Sequence, residues 1–412
     1  MRTLLLWLSC GIVANAIAGA TVSNVTMPRL DFANPITISY DLVGDRAIVT
    51  LDILTNGVSI GAANVVRVSG DVNRKVEPGN CKSIVWQAYQ DWPDHRITNQ
   101  IVQAKVTAWS LDNPPDVMVV DLLTKSNIVF CASLDSLPGG VTNDIYKTDK
   151  LVMRKIPAGG CVFSMGEAGG SGAAKPHFVA FTNDFYLGVY EVTQKQLEHA
   201  SGQRGTSSFA ESEDADIMPS DALPFGHNTG DSWSIRDYRY NASTYPQGIG
   251  KFGNKSFLGA FCRHSGLAFD LPTGAQWEFA CRAGMSTKYN DGSNDASSMD
   301  ALGWYGGNSD GAPHPVGMKK PNAFGLYDMH GNVWEWVLDW AYSSAQNPYT
   351  AYDVNPVGPA SEAYDRKERR GGGYLSEGNS CGSVSRINVY VVSASVTSGG
   401  YGVRLWAPAK MW

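Results

Sequence analysis

Four positions in one short stretch carry donors for a hard cation. Between Gly325 and Trp340 (GLYDMHGNVWEWVLDW), Asp328 and Glu335 supply carboxylates, while backbone bent at Gly331 and Val333 can turn carbonyl oxygens the same way. Oxygen donors gathered in this manner suit calcium. The same carboxylates have a purely structural use, in which Asp328 caps a turn and Glu335 pairs with a buried arginine such as Arg404. Thiol chemistry centres on Cys381, either an exposed reactive thiol or a small buried residue. His177, His227, His264, His314 and His330 stand at spacings that give no zinc or iron ligand pair. No nucleophile elbow occurs, and the glycine run at Gly371 is no phosphate-binding loop.

The donors need elements to hold them. Trp334 and Trp336 are two residues apart and share one face of an extended segment, with Glu335 on the other. Each indole can remove roughly 150 to 250 Å² from water, so the stretch reads as a turn, an irregular loop and then a buried strand or short helix. Upstream, Thr273 and Gln276 form a capping box for a helix that runs to about Arg282 and stops at Gly284. Trp277, Ala280 and Cys281 share its buried face. Thr193 and Gln196 open a second helix, which Gly202 ends. From Ser207 to about Asn254 the chain is polar and aperiodic, the pattern of a functional surface loop.

The central stretch, read with LPTGAQWEFACRAG (Leu271 to Gly284) and RGGGYLSEGNSCGSVSR (Arg370 to Arg386), resembles the formylglycine-generating enzymes and sulfatase-modifying factors. The resemblance runs from about Leu151 to Trp406. It implies an α+β domain of low regular structure, related to C-type lectins, with calcium on Asp328, Gly331, Val333 and Glu335. It also implies a substrate groove to which Trp233, Tyr238 and Tyr240 contribute. Active members oxidise a substrate cysteine to formylglycine with copper(I) held by two cysteines five residues apart. Here those positions are Ser376 and Cys381. A serine hydroxyl is a hard, neutral donor and does not replace a thiolate toward copper(I), so copper binding is not expected. The expected function is a non-oxidase module for a protein, peptide or glycan ligand. The alternatives are an active oxidase that matures sulfatases and a structural cell-surface module.

With 412 residues, 43% hydrophobic and 17% charged, the chain suits two globular domains. A net charge of −6 without a basic cluster excludes nucleic acid and anionic membrane surface as partners. Arg2, the apolar run from Leu4 to Val13 and the small residues from Ala14 to Ala20 make residues 1–20 a secretory signal peptide, too short to span a bilayer. A secreted or periplasmic chain with no membrane span is expected.

Residues 21–149 read as an all-β sandwich of immunoglobulin or fibronectin type, and residues 151–412 as the sulfatase-modifying-factor-like domain. The sandwich opens with a hairpin, Ile36 to Leu42 and Ala47 to Leu54, turning at Gly44 and Asp45. Its later strands fall near Ser83 to Trp86, Ile101 to Trp109, Val117 to Leu122 and Asn127 to Cys131. Cys81 and Cys131 either bridge its sheets or remain two thiols.

Overall fold

The computed structural model describes residues 19–27, 35–93, 102–170, 174–204, 212–221, 223–225, 234–235, 252, 255–341, 351–358, 366–390 and 400–410. The first unit is built from two antiparallel sheets around one core. One sheet runs in the order Thr21–Thr26, Ile36–Val43, Gly79–Trp86, Val68–Gly70. The other runs Val58–Ser59, Ala47–Thr55, Lys75–Val76, with Val102–Trp109 also paired to Ala47–Thr55. Alternation along Ile36–Val43 sends Ile36, Ile38, Tyr40 and Leu42 inward to meet Val49, Ile53, Ile84 and Trp86.

The expected hairpin does not form. Gly44, at φ 93, carries the chain from one sheet to the other, so Ile36–Val43 bonds to Gly79–Trp86 and Ala47–Thr55 to Val102–Trp109. Two alternating strands can bury their apolar faces side by side or across a core, and their periodicity is the same in both cases.

Two strands read as part of the first unit belong to the second. Val117–Asp121 pairs with Ile128–Cys131 on one side and with Lys150–Ile156 on the other. The resulting five-stranded antiparallel sheet continues through Phe185–Gly188 to Trp406–Pro408, across the boundary drawn at residues 149–151. Val117 to Val120 are all buried, as befits a strand covered on both faces. Cys131 moves with these strands and is buried, whereas Cys81 stays exposed in the first unit. The bridge between them is therefore not made, and Cys161, Cys262, Cys281 and Cys381 are likewise free thiols.

Both capping boxes are present. Thr193 with Gln196 opens Gln194–Ser201, which closes through Gly202 at φ 72. Thr273 with Gln276 opens Gly274–Arg282, which closes through Ala283 at φ 46, one residue before the expected glycine. Trp277, Ala280 and Cys281 are fully buried on that helix. The tryptophan-rich stretch ends in a strand, Trp334–Trp340, at the centre of a sheet ordered Arg386–Tyr390, Arg366–Arg370, Trp334–Trp340, Tyr401–Gly402.

Candidate functional site: an aromatic cleft above a buried ion network

The strand Arg366–Arg370 (RKERR) is an unusual neighbour for a core strand, because Lys367, Glu368, Arg369 and Arg370 are at most 1% exposed. Buried charges are costly unless matched, and the matches here differ: carboxylates for Arg370, and aromatic rings for Lys367 and for Arg369, whose Nε and Nη1 have no hydrogen-bond partner. Lys367 donates to the Leu338 carbonyl and lies 3.8 Å from the Trp340 ring. Arg369, paired in register with Trp336, has its guanidinium carbon 3.5 Å from the Tyr401 ring and 5.0 Å from that of Trp336. Burial holds its pKa below the usual arginine value.

On the opposite face, Glu278 of the helix Gly274–Arg282 meets Arg282 and Arg370 at 3.0 Å and Arg386 at 3.5 Å. Glu368 adds a second carboxylate to Arg370 and Arg386. Burial alone would raise the Glu278 pKa, but Arg370, Arg282 and Arg386 outweigh it and hold the group below its usual range.

This strand delivers the chain into Gly371 and Gly372, both left-handed at φ 92 and 81. A Cβ on Gly372 would stand 2.4 Å from Cys381 Sγ, so the thiol packs directly onto this backbone. The Gly373 amide donates to Ser376 Oγ at 3.0 Å and also faces the Cys381 sulfur. The two positions singled out from sequence are thus brought together on one amide. Cys381 is fully buried, and burial pushes its thiol pKa up to about 12.

Ser376 lines a cleft of about 290 Å³ together with Trp334, Gly373, Tyr374, Leu375, Gly400 and Tyr401. Leu375 at its rim is 68% exposed. An aromatic wall, a hydroxyl and an exposed aliphatic side chain make a surface for binding. Sequence reasoning missed Tyr374, Leu375, Tyr401 and Arg369. Tyr401 enters through the pairing of Trp334 with Tyr401, a register that local pattern does not reveal. Trp233, Tyr238 and Tyr240 lie outside the described residues.

The calcium quartet sits beneath the same sheet. Glu335 spends both oxygens inside the fold, accepting from Trp277 Nε1 at 2.6 Å and from Arg404 at 2.6 to 3.1 Å. Arg404 also donates to the Gly188, Val189 and Tyr327 carbonyls. Asp328 Oδ2 accepts from the Gly317 amide, while its buried Oδ1 has no hydrogen-bond partner. Glu191 completes the cluster, accepting from the Val333 amide and from Asn332.

Three buried carboxyls thus surround one guanidinium. Burial, with Asp328 and Glu335 nearby, raises the Glu191 pKa well above the carboxylate range. Burial raises Asp328 to about 6. Of the two carboxylates in the expected calcium quartet, Asp328 thus keeps one oxygen without a partner, while Glu335 is paired with Arg404.

Residues 146–407 match the sulfatase-modifying factor enzyme 1-like domain. The chaperone protein LppX of Paenibacillus barcinonensis is 27% identical over 195 residues, spanning 43% of this chain and 69% of that protein. The formylglycine-generating enzyme of Mus musculus is 33% identical over 135 residues, spanning 30% of this chain and 34% of the enzyme. Among solved structures, Treponema denticola variable protein 1 is 25% identical with a TM-score of 0.48, covering 63% of this chain and 95% of that one.

Proposed function

Because the chain belongs to the sulfatase-modifying factor enzyme 1-like family, we propose that its second unit is a ligand-binding module rather than a cysteine oxidase. The observation that carries this reading is the pair on the Gly373 amide, a serine hydroxyl and a buried thiol whose pKa is near 12. Copper(I) prefers thiolates, and a thiol held protonated beside a hydroxyl is a poor substitute for two of them. The ligand is a protein, peptide or glycan seated on Trp334, Tyr374, Leu375 and Tyr401. Co-expression with a sulfatase-motif peptide, followed by mass spectrometry, should leave the peptide cysteine unchanged. Formylglycine in that peptide would overturn the reading and favour the formylglycine-generating activity named in relatives such as the Mus musculus enzyme.

Export is part of the same proposal. Residues 1–18 lie outside the described ones, and no helix of the described residues is long and apolar enough to cross a membrane. Secretion to the periplasm or cell exterior rests on the charged, apolar and small-residue order of the first twenty residues. N-terminal sequencing should find a start near Ala20 or Thr21. The two-sheet first unit, with its shared core, supports an immunoglobulin- or fibronectin-like spacer. Calcium at Asp328 is supported by the partnerless Oδ1 and opposed by the Glu335–Arg404 pair.

A further inference from the structure

A second cleft, of about 370 Å³, lies in the second unit beside the edge strand Trp406–Pro408 and shares no lining residue with the aromatic one. Its volume is toward the small end of the range of about 300 to 1,000 Å³ typical of small-molecule sites. Four segments converge on it: the turn from Phe181 to Phe185, residues Asn355 to Val357, the first turn of the helix Gly274–Arg282, and the segment from Trp406 to Lys410. The turn is held from both sides. Phe185 is in register with Pro408, and the Gly159 amide donates to Asp184 Oδ1 at 2.8 Å. Buried Phe181, Phe185 and Trp406 close the floor, while the partly exposed Pro356, Val357 and Pro408 supply an apolar wall.

The rim is built from short polar side chains. Asn183 and Asn355 both donate to one hydroxyl, Thr182 Oγ1, at 2.9 and 2.8 Å, and Asn355 Oδ1 accepts from the Thr182 amide at 3.0 Å. These bonds fix the two exposed carboxamides in place without exhausting them. Each carboxamide nitrogen has a second hydrogen to give, and Asn183 Oδ1 and Asp184 Oδ2 have no hydrogen-bond partner among the described residues. The described lining carries one charge of each sign, Asp184 and Lys410, so it does not select an ion.

We propose that this cleft binds a neutral sugar, a monosaccharide or the end of a short glycan, with a carbon-bound face of the pyranose ring against Pro356, Val357 and Pro408 and its hydroxyls at Asn183, Asp184 and Asn355. Such a ring has C–H surface that gains by leaving water and a belt of hydroxyls, each both donor and acceptor. The apolar wall takes the first, and the mixed donors and acceptors of the rim take the second. This site does not depend on the function proposed for the aromatic cleft.

Saturation-transfer NMR on the purified full chain, with the methyl glycosides of glucose, galactose and mannose titrated in turn, tests the assignment. At least one should bind with a Kd of about 1 mM, the affinity open to a ligand of so few atoms. Glucuronate and glucosamine, which carry opposite charges, should bind no more tightly than the best glycoside. Asn183→Ala should weaken binding by about tenfold through its lost hydrogen bonds, and Val357→Asp, which puts a charge in the apolar wall, by at least as much. Unchanged circular dichroism reports that each variant keeps the fold. The proposal is overturned by no glycoside binding, by a clear preference for either charged sugar, or by binding that survives both substitutions, which would place the sugar elsewhere. A blocked asparagine–glycine tripeptide that binds more tightly than every glycoside would assign the cleft to protein segments, with the same consequence.

Discussion

Glu335→Gln separates the two roles of the carboxylate at the centre of the domain. In the fold described above, Glu335 is the counter-ion of a fully buried guanidinium and the acceptor for Trp277. Glutamine keeps the size and one acceptor oxygen but removes the charge. Breaking one partner out of a buried ion pair costs about 3 to 5 kcal/mol. Part of this is offset here, because Glu191 and Asp328 also act on Arg404, and losing the Glu335 charge makes their ionisation easier. A net loss of about 3 kcal/mol is expected, or a fall in Tm of roughly 6 to 12 °C for a unit of this size.

The measurement is thermal and urea unfolding in EDTA and again in calcium, followed by tryptophan fluorescence. In EDTA the Arg404 pairing predicts the full loss, whereas a carboxylate that served only calcium would leave variant and wild type alike. A variant within about 1 kcal/mol of wild type in EDTA, close to the typical effect of a point mutation, would refute the pairing. A rise in the Tm of wild type alone on adding calcium would restore the cation site, since a ligand bound by the folded state stabilises it.

Asp328, raised to about 6 from an unfolded value near 4, binds its proton more tightly when folded, so its contribution is present below about pH 4 and is lost as pH rises through 6. Asp328→Asn should flatten that decline, by up to about 3 kcal/mol, in urea titrations across pH 4 to 7. Glu278→Gln strips the anion from Arg282, Arg370 and Arg386 and should cost about 3 to 5 kcal/mol by chemical denaturation. Ser376→Cys places a second thiol on the Gly373 amide and should strengthen copper(I) binding in a competition titration by at least about tenfold; unchanged affinity would show that the buried Cys381 cannot serve as a ligand. Gly372→Ala should yield little folded protein by size-exclusion chromatography, since its Cβ would overlap the Cys381 sulfur at a left-handed φ.

Local chemistry in the sequence was enough for the capped helices and the facing of the tryptophans. The capping bonds of Thr193 with Gln196 and of Thr273 with Gln276 close within one turn, so no distant contact is needed to see them. What local pattern cannot supply is pairing over long distances. Gly44 looks the same whether it closes a hairpin or passes the chain between sheets, and Val117–Asp121 finds its partner past Asp149. The cleft shows the same divide. Ser376 and Cys381 were legible from one motif, but Tyr401 joins Trp334 from 67 residues away, by subtraction of their numbers, through a two-residue parallel pairing. Glu191 carried no signal at all, being a single acid in an apolar run.

The strand Arg366–Arg370 bears on how the protein meets its medium. Its cations are balanced by aromatic faces and by carboxylates that water does not reach. Mobile ions shield charges across solvent over a Debye length of about 8 Å at physiological strength, but they have little purchase on pairs sealed inside. The part of the domain that holds up the aromatic cleft should therefore keep its shape from fresh water to brine, while the exposed bridges of the first unit, such as Arg46 with Glu77, fade as salt is added.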